Sequence, residues 1–266
     1  MTAITCLVDN RARPGFEAEH GLSLFIEHGD AAVLLDTGQS GVFLDNARRM
    51  GVDLTKTTHI ILSHGHYDHS GGMGRALALF ADAGVKPAMI MHPDAFIGRS
   101  VRRDNGRVDA IGIAGANRSL VEQYGPTLAR EPVRLAEGLV CLGQIPRPDA
   151  EACSLIGWKE DGEPDAILDD TGFACMTPQG LVVITGCAHS GIINTVEYAR
   201  SLLGAAEAHA VVGGLHCKGA SEALIRKTHD FLKRGVGHVY GCHCTGDALR
   251  ERGLGHDFMT GDRLEF

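Results

Sequence analysis

Four side chains that can bind a metal ion occur within six consecutive residues, in the sequence His64-Gly65-His66-Tyr67-Asp68-His69. Imidazole nitrogens combined with a carboxylate oxygen suit Zn²⁺, Fe or Mn²⁺. An apolar run at residues 59–63, which predicts a buried strand, comes directly before this hexapeptide. A surface cluster of histidines is the alternative, but burying three imidazoles and a carboxylate without a cation would cost too much. The sequence therefore predicts a metal site at the end of a strand.

Three later segments repeat one arrangement, an apolar run followed by glycine and then histidine. One hexapeptide cannot supply all the ligands of two metal ions, so the others must come from distant parts of the chain. The candidates are Cys187 and His189 after residues 181–185, His216 after residues 209–212, and His243 after residues 238–240. This repetition predicts that several strand ends face one pocket.

Other polar residues allow two interpretations. His20 and His92 lie at predicted strand ends and could either reach the pocket or pack elsewhere. Asp169 and Asp170 could face the pocket, but an Asx turn explains them equally well. Five further histidines are interpreted as surface or core residues, namely His28, His209, His229, His238 and His256.

The eight cysteines of the chain are too few for a disulfide framework. Several of them neighbour histidines, which in a reducing compartment indicates metal chemistry or a reactive thiol. Cys242 and Cys244 flank His243, and at the end of an alternating strand both would point away from it. The sequence therefore predicts that these two are packing thiols.

The elements that must position these residues follow from the periodicity of apolar residues. Strands are predicted at residues 4–8, 22–27, 32–36, 59–63, 88–91, 133–142, 154–158, 172–176, 181–185, 209–212, 238–241 and 263–266. Helices are predicted at residues 42–50, 73–83, 192–203, 222–233 and 247–252. Strands come before helices in both halves, which favours two sheets face to face with helices on both outer faces.

Residues 93–132 break this rhythm. We interpret them as an insertion with short helices and a loop over one face, of the kind that forms lids or substrate-binding segments. The chain is thus predicted to be one domain, residues 1–266, that carries this insertion. Its arginines either suit phosphate or carboxylate groups of a substrate or form an exposed basic loop; they are Arg99, Arg102, Arg103 and Arg107.

Composition narrows the class of partner. The chain has 266 residues, of which 44% are hydrophobic, and this is enough to bury a large core. A net charge of −8 argues against a protein that binds nucleic acid through phosphates. No apolar run approaches the ~18 residues of a membrane span, and the first residues lack the features of a signal peptide. We expect a cytoplasmic protein with a small-molecule substrate; the sequence predicts no particular oligomeric state.

Asp36-Thr37-Gly38 after a strand, the hexapeptide, and the later histidines after strands resemble the metallo-β-lactamase superfamily over nearly the whole chain. The resemblance implies an α+β fold, an αββα sandwich of two mixed β-sheets with helices on both outer faces. Four stretches resemble one subgroup, typified by the archaeal 7,8-dihydropterin-6-methyl-4-(β-D-ribofuranosyl)aminobenzene 5'-phosphate synthase. They are His20-Gly21-Leu22-Ser23, Thr185-Gly186-Cys187-Ala188-His189-Ser190-Gly191, Gly213-Gly214-Leu215-His216 and His243-Cys244-Thr245-Gly246.

The resemblance implies two divalent metal ions, with Zn²⁺ as the default and Fe or Mn²⁺ as open alternatives. His64, His66 and His189 would bind the first ion, whereas Asp68, His69 and His243 would bind the second. Asp36 would orient a ligand or the loop. Many members of the superfamily have a metal-bridging aspartate where this sequence has Cys187, so either Cys187 or only water bridges the ions.

The first functional hypothesis is a hydrolase of an ester or phosphoester-type small molecule. Two metal ions about 3.5–4 Å apart lower the pKa of a shared water toward about 7, and that water attacks the substrate. Asp68 could orient the nucleophile, and His243 or His216 could protonate the leaving group.

The alternative hypothesis, taken from the subgroup, is a transferase that condenses a pterin methyl diphosphate with an aromatic amine phosphate. Such a site must exclude water, and the insertion at residues 93–132 could close over the ligands. A non-catalytic metal-binding or redox protein is least favoured, because the chain has no room for a flavodoxin-like domain after its last predicted strand.

Overall fold

Seventeen strands and six α-helices form in the computed structural model, which describes all 266 residues. The strands are β1 (Thr2–Val8), β2 (Ser23–His28), β3 (Ala31–Leu35), β4 (His59–Ile61), β5 (Ala88–Met91), β6 (Arg99–Arg102), β7 (Val108–Ala110), β8 (Thr127–Leu128), β9 (Val133–Ala136), β10 (Leu139–Cys141), β11 (Trp158–Lys159), β12 (Gly172–Thr177), β13 (Gly180–Thr185), β14 (Ala208–Gly214), β15 (Val236–Cys242), β16 (His256–Asp257) and β17 (Arg263–Glu265). The helices are α1 (Val42–Arg49), α2 (Tyr67–Ser70), α3 (Met73–Asp82), α4 (Gly115–Tyr124), α5 (Ile192–Leu203) and α6 (Glu222–Gly235). None of them combines the length and the apolar character that crossing a bilayer requires.

Two seven-stranded mixed sheets hold most of the chain. The first has the order β17-β1-β2-β3-β4-β5-β8, and the second has the order β16-β15-β14-β13-β12-β10-β9. In the first sheet β3, β4, β5 and β8 run parallel, and in the second β13, β14, β15 and β16 run parallel. A third, three-stranded sheet has the order β11-β6-β7.

The two large sheets pack face to face over one apolar core, to which both contribute buried side chains such as Val33 and Val212. The outer face of the first sheet packs against α1 and α3, and that of the second against α5 and α6. Strands β13 and β14 are almost wholly apolar because both of their faces are covered. This architecture confirms the predicted αββα sandwich and its α+β class.

The carboxyl ends of the parallel strands meet at one edge of the sandwich. Asp36 follows β3, and the hexapeptide that begins at His64 follows β4. In the other sheet, the segments that contain His189, His216 and His243 follow β13, β14 and β15, which are neighbours. Chain segments far apart in sequence are therefore brought to the same place, as the repeated strand-glycine-histidine pattern predicts.

Three predicted elements differ from the structure, and glycines account for two of them. The strand predicted at residues 133–142 is a hairpin, since Gly138 turns the chain with a φ of 76° between β9 and β10. The strand predicted at 154–158 is reduced to β11, because Gly157 has a left-handed φ of 67° and a side chain there would overlap the backbone of Ser100. The helix predicted at 247–252 is a single 3₁₀ turn, Arg250–Arg252.

The segment at residues 93–132 contains more regular structure than a loop. It begins with the 3₁₀ turn Pro93–Phe96, continues through the β6–β7 hairpin and α4, and ends with β8 at the edge of the first sheet. The hairpin pairs with β11 and forms the third sheet, which stands beside the edge where the histidines gather.

Candidate metal centre

Three imidazoles, those of His64, His66 and His189, form a first buried group. Nε2 of His64 lies 2.8 Å from Nδ1 of His66 and 3.3 Å from Nε2 of His189. Burial lowers the pKa of all three rings, that of His66 to about 3, so the rings are neutral and present lone pairs. Three neutral imidazoles that share one point are typical ligands of Zn²⁺.

A second group contains Asp68, His69 and His243. Nε2 of His69 lies 3.2 Å from Nε2 of His243, which in turn lies 3.6 Å from Oδ2 of Asp68. The half-exposed ring of His20 reaches the same carboxylate, with Nε2 3.1 Å from Oδ2. Burial lowers the pKa of His243 to about 4. Burial alone would raise the pKa of Asp68, but the surrounding imidazoles, above all His69, hold it well below its usual range.

The carboxylate of Asp36 orients His69 from behind. Oδ2 of Asp36 accepts hydrogen bonds from Nδ1 of His69 at 2.7 Å and from Oγ of Ser63 at 2.6 Å. Oδ1 accepts from the backbone N–H of Ser63 at 2.7 Å. A carboxylate on the far nitrogen fixes the tautomer of a metal-binding histidine and makes it a stronger ligand. Although burial lowers the pKa of His69, Asp36 and Asp68 raise it to about 9, so its Nε2 faces an environment that attracts positive charge.

His243 is held by a pair that the sequence analysis missed, Asp9 and Asn10 directly after β1. Oδ1 of Asp9 accepts from the backbone N–H of His243 at 2.5 Å. Oδ1 of Asn10 accepts from the backbone N–H of Gly21 at 3.1 Å, so this atom is an acceptor and the proton of His243 lies on Nδ1, 3.0 Å away. The lone pair of Nε2 therefore faces His69 and Asp68. A polar pair that follows a buried strand is the sequence pattern that could have revealed these residues.

Left-handed backbone conformations are concentrated at this edge. Asp36, Ala188, His216 and His243 have φ values of 58°, 54°, 50° and 51° although none is glycine. Such residues are uncommon, cost free energy and cluster at functional sites. In three cases the strained residue is a few positions beyond the end of β13, β14 or β15, where it redirects the side chains that follow.

Redirection of this kind corrects the prediction for Cys244. Strand β15 ends at Cys242, which is buried in the core between the sheets as predicted. The left-handed turn at His243 ends the alternation, so Cys244 lies in the cavity next to Cys187 and His216 instead of packing away from it. Burial raises the pKa of Cys244, but hydrogen bonds to Cys187 and His216 outweigh burial and lower it. Sγ of Cys187 is also 3.3 Å from Nε2 of His69.

His92 does not join the cluster. Its Nδ1 accepts from the backbone N–H of Asp94 at 3.0 Å, which caps the 3₁₀ turn that follows. Its Nε2 lies 3.1 Å from Oε1 of Gln144 and 3.1 Å from Nη1 of Arg130. These contacts hold the ring outside the cavity that the other histidines line, which corrects the suggestion that His92 reaches the pocket.

Arg99 is buried in an ion-pair network and does not contact the cavity, which corrects both interpretations of this arginine. Its guanidinium is fully buried and pairs with Asp165 at 2.5 Å and with Asp169. Asp169 also accepts from the backbone N–H of Gly65 at 2.7 Å, so it joins the third sheet to the hexapeptide. Asp170 points elsewhere, accepts from Ser190, and has its pKa raised to about 6 by burial.

A cavity of about 210 Å³ lies in front of both groups. One side is formed by metal-binding candidates, and a second side by Cys187, His216 and Cys244. The side toward the third sheet is mainly apolar, with Arg103 as its one arginine; the residues there are Tyr67, Val101, Arg103, Ile111 and Ile156. The cavity thus has imidazole, carboxylate and thiol groups on one side. On the other side it has a mainly apolar wall with one cationic side chain, that of Arg103.

The donor set fits divalent cations. Nε2 of His66 and Nδ1 of His189 are buried and have no hydrogen-bond partner. The close nitrogen pair of His64 with His189 brings two lone pairs together that a cation would separate and satisfy, whereas His69 and His243 can share a proton whose place a cation would take. The ligand atoms of His64, His66 and His189 lie within 4.8 Å of one another, and in the second region those of His20, Asp68 and His243 do so.

The comparisons with known proteins agree with this geometry. The family model of the metallo-beta-lactamase superfamily matches residues 17–203. The chain is 30% identical over 261 residues to an uncharacterized protein of Methanocaldococcus jannaschii, covering 97% of this chain and 96% of that protein. It is also 30% identical over 250 residues to the 7,8-dihydropterin-6-methyl-4-(beta-D-ribofuranosyl)-aminobenzene-5'-phosphate synthase of the same organism, covering 87% and 82%.

A crystal structure shares the fold over the full length of the chain. Tm1679, described as a metal-dependent hydrolase of the β-lactamase superfamily, superposes with a TM-score of 0.82 at 30% identity and covers 100% of this chain and 99% of that one. Proteins of this superfamily generally bind metal ions, and the histidine, aspartate and cysteine groups at the strand ends can do so here. By sequence and by fold, this chain belongs to the metallo-β-lactamase superfamily.

Proposed function

We propose that this protein is a metal-dependent hydrolase that acts on an ester or phosphoester-type small molecule. The observation that carries the proposal is the meeting of two adjacent ligand groups at one cavity. His64, His66 and His189 would hold one divalent ion, and Asp68, His69 and His243 would hold the other. Bound there, Zn²⁺, Fe or Mn²⁺ would lower the pKa of a water molecule and polarise the bond under attack.

The chain's own residues then have separate tasks. Asp68 lines the cavity and can orient the attacking water through a hydrogen bond. His20 is placed to return a proton to the leaving group, since its Nε2 is 3.1 Å from Asp68 and its side chain is 55% exposed at the cavity mouth. His243 and His216 are the proton donors suggested by the sequence. We favour His20 over His243, because the lone pair of His243 faces the ligand group.

The wall next to the third sheet supports an anionic, small substrate. Arg103 and Arg107 share a single carboxylate, that of Asp109, at 2.8 and 2.7 Å, which leaves one positive charge uncompensated. Arg103 lines the cavity beside Tyr67. A guanidinium there can bind a phosphate or carboxylate group of the substrate. The negative net charge of −8 supports a free small molecule over a nucleic acid.

A transferase is the second candidate, because one relative of 30% identity is named as a synthase. Condensing a pterin methyl diphosphate with an aromatic amine phosphate requires room for two phosphorylated substrates. Arg103 is the one arginine at the cavity, which favours a single anionic substrate.

A substrate panel tests the proposal. Protein loaded with Zn²⁺ or Mn²⁺ is offered generic phosphodiester, phosphomonoester, lactone and thioester substrates. We expect turnover that a chelator removes and metal restores, that His66→Ala abolishes, and that the matched control His238→Ala, an exposed histidine of β15, preserves. Turnover that ignores metal and His66 would contradict the proposal. If no substrate of the panel is turned over and a pterin diphosphate binds tightly, the transferase hypothesis would be favoured instead.

A further inference from the structure

Two thiols and one imidazole at the cavity belong to neither ligand group. We propose that Cys187, His216 and Cys244 form a further metal site, a Cys₂His set for one thiophilic cation such as Zn²⁺. This site stands independently of whether the protein hydrolyses esters.

The geometry of the three side chains is that of a ligand set. Their ligand atoms, Sγ, an imidazole nitrogen and Sγ, lie within 4.8 Å of one another. The backbone N–H of His216 points to Sγ of Cys244 at 3.3 Å, and Cys244 lies 3.5 Å from the carbonyl oxygen of Cys187. Nδ1 of His216 is buried and has no hydrogen-bond partner, so a ring nitrogen there has no other use in the protein.

The fold builds the set from three neighbouring strand ends. Cys187 follows β13, His216 follows β14 and Cys244 follows β15, and these strands are hydrogen-bonded in that order. A side chain at Gly214 would come within 2.8 Å of Sγ of Cys244, so this glycine leaves the space that the thiol occupies. Left-handed conformations at His216 and His243 aim the last two ligands inward.

The chemistry of the set differs from that of its neighbours. Thiolates prefer Zn²⁺ or other soft cations, whereas the imidazole and carboxylate groups also accept Mn²⁺ or Fe. Two cysteines and one histidine supply three protein ligands, which leaves the fourth position of a tetrahedral ion open, as in catalytic zinc sites. All three residues line the cavity, so the open position would face the substrate.

Cobalt substitution tests the site with a readout other than activity. The purified full-length protein is reduced, stripped of metal and titrated with Co²⁺, and thiolate ligation is followed by the sulfur-to-cobalt charge-transfer band in the near ultraviolet. We expect the band in the wild type and its loss in Cys244→Ser, with one Co²⁺ fewer bound per chain. The matched control is Cys175→Ser, which should keep the band. Cys175 is a buried cysteine of β12, and its Sγ lies 3.3 Å from Nδ1 of His28.

Three results would overturn the proposal. The first is a wild type with bands from imidazole and carboxylate ligation alone. The second is a band that Cys187→Ser removes and Cys244→Ser leaves intact, since Cys187 would then serve the adjacent His69 group only. The third is a Cys187–Cys244 disulfide in protein isolated without oxidant. Visible d–d bands from the other two groups report in every variant that the protein is folded and loaded.

Discussion

The edge formed by the strand ends and the wall formed by the third sheet border the same cavity but are built differently. The ligands follow parallel strands whose apolar side chains fill the core, so their positions are set by the same packing that makes the fold. The third sheet has short strands and exposed residues, and it is joined to the hexapeptide by the buried cluster of Arg99, Asp165 and Asp169. The contrast shows that the packing of the core sets the positions of the ligand groups; under the proposed function, we expect the wall to set the choice of substrate.

Disrupting the buried ion pairs that connect the third sheet to the hexapeptide should have the largest effect on stability. Arg99→Ala leaves the carboxylates of Asp165 and Asp169 buried without a cation, so we expect the free energy of unfolding to fall by about 3–5 kcal/mol. Urea denaturation followed by circular dichroism measures the change. Arg107→Ala, which removes an exposed ion pair, serves as control and should cost less than about 1 kcal/mol. Equal losses in the two variants would show that these buried ion pairs do not make this connection.

Asp170 lies next to Asp169 but forms no ion pair. Removing its charge should therefore stabilise the protein near neutral pH, whereas the loss of Arg99 destabilises it. Burial raises its pKa from 3.8 to about 6, so the folded state favours the protonated form; the resulting stability is present below pH 4 and is lost as pH rises through 6. Asp170→Asn removes this dependence. In metal-free protein we expect Asp170→Asn to gain on the order of 2–3 kcal/mol relative to the wild type between pH 4 and pH 7. A constant difference across that range would contradict the assignment.

Among the residues at the strand ends, the substitution Asp36→Asn should affect metal binding by the two ligand groups to different extents. The amide keeps the shape of Asp36 but weakens its hold on His69, so the affinity for the ion of the second group should fall about 10–100-fold. Competition with a chromophoric chelator measures both affinities. Asp36 reaches the first group only indirectly, through Oγ of Ser63, which lies 2.9 Å from Nδ1 of His64, so the affinity of that group should fall much less. An equal fall at both sites would argue against two separate groups.

The smallest effect is expected at the wall. Arg103→Ala should raise KM for a phosphorylated substrate about tenfold, with kcat changed less than about twofold, because it removes one charge-assisted contact. Arg103→Lys should recover part of the loss. If kcat falls instead of KM rising, Arg103 acts on the chemical step and the division between the two regions fails.

The same division explains what the sequence could predict. Imidazoles after apolar strands are recognisable because strand ends of a parallel sheet must meet, and this pattern predicts that His189 and His243 share a pocket with the hexapeptide. Their assignment as ligands of particular ions comes from the resemblance to the superfamily. The position of Cys244 is not recognisable in this way, since it depends on one backbone angle at His243. The partnership of Arg99 with Asp169 links residues 70 positions apart through no motif. Sequence patterns reveal periodic elements such as strands and helices. A single left-handed residue or one contact between distant residues produces no such pattern.

The long reach of the second ligand group also bears on how the protein is made. His69 and His243 are 174 positions apart, whereas His64 and His189 are 125 apart. A ribosome therefore releases every donor for the first ion well before it has synthesised the last donor for the second. A chain that stops short of residue 243 would contain all three ligands of the first group, but it would lack both His243 of the second group and Cys244.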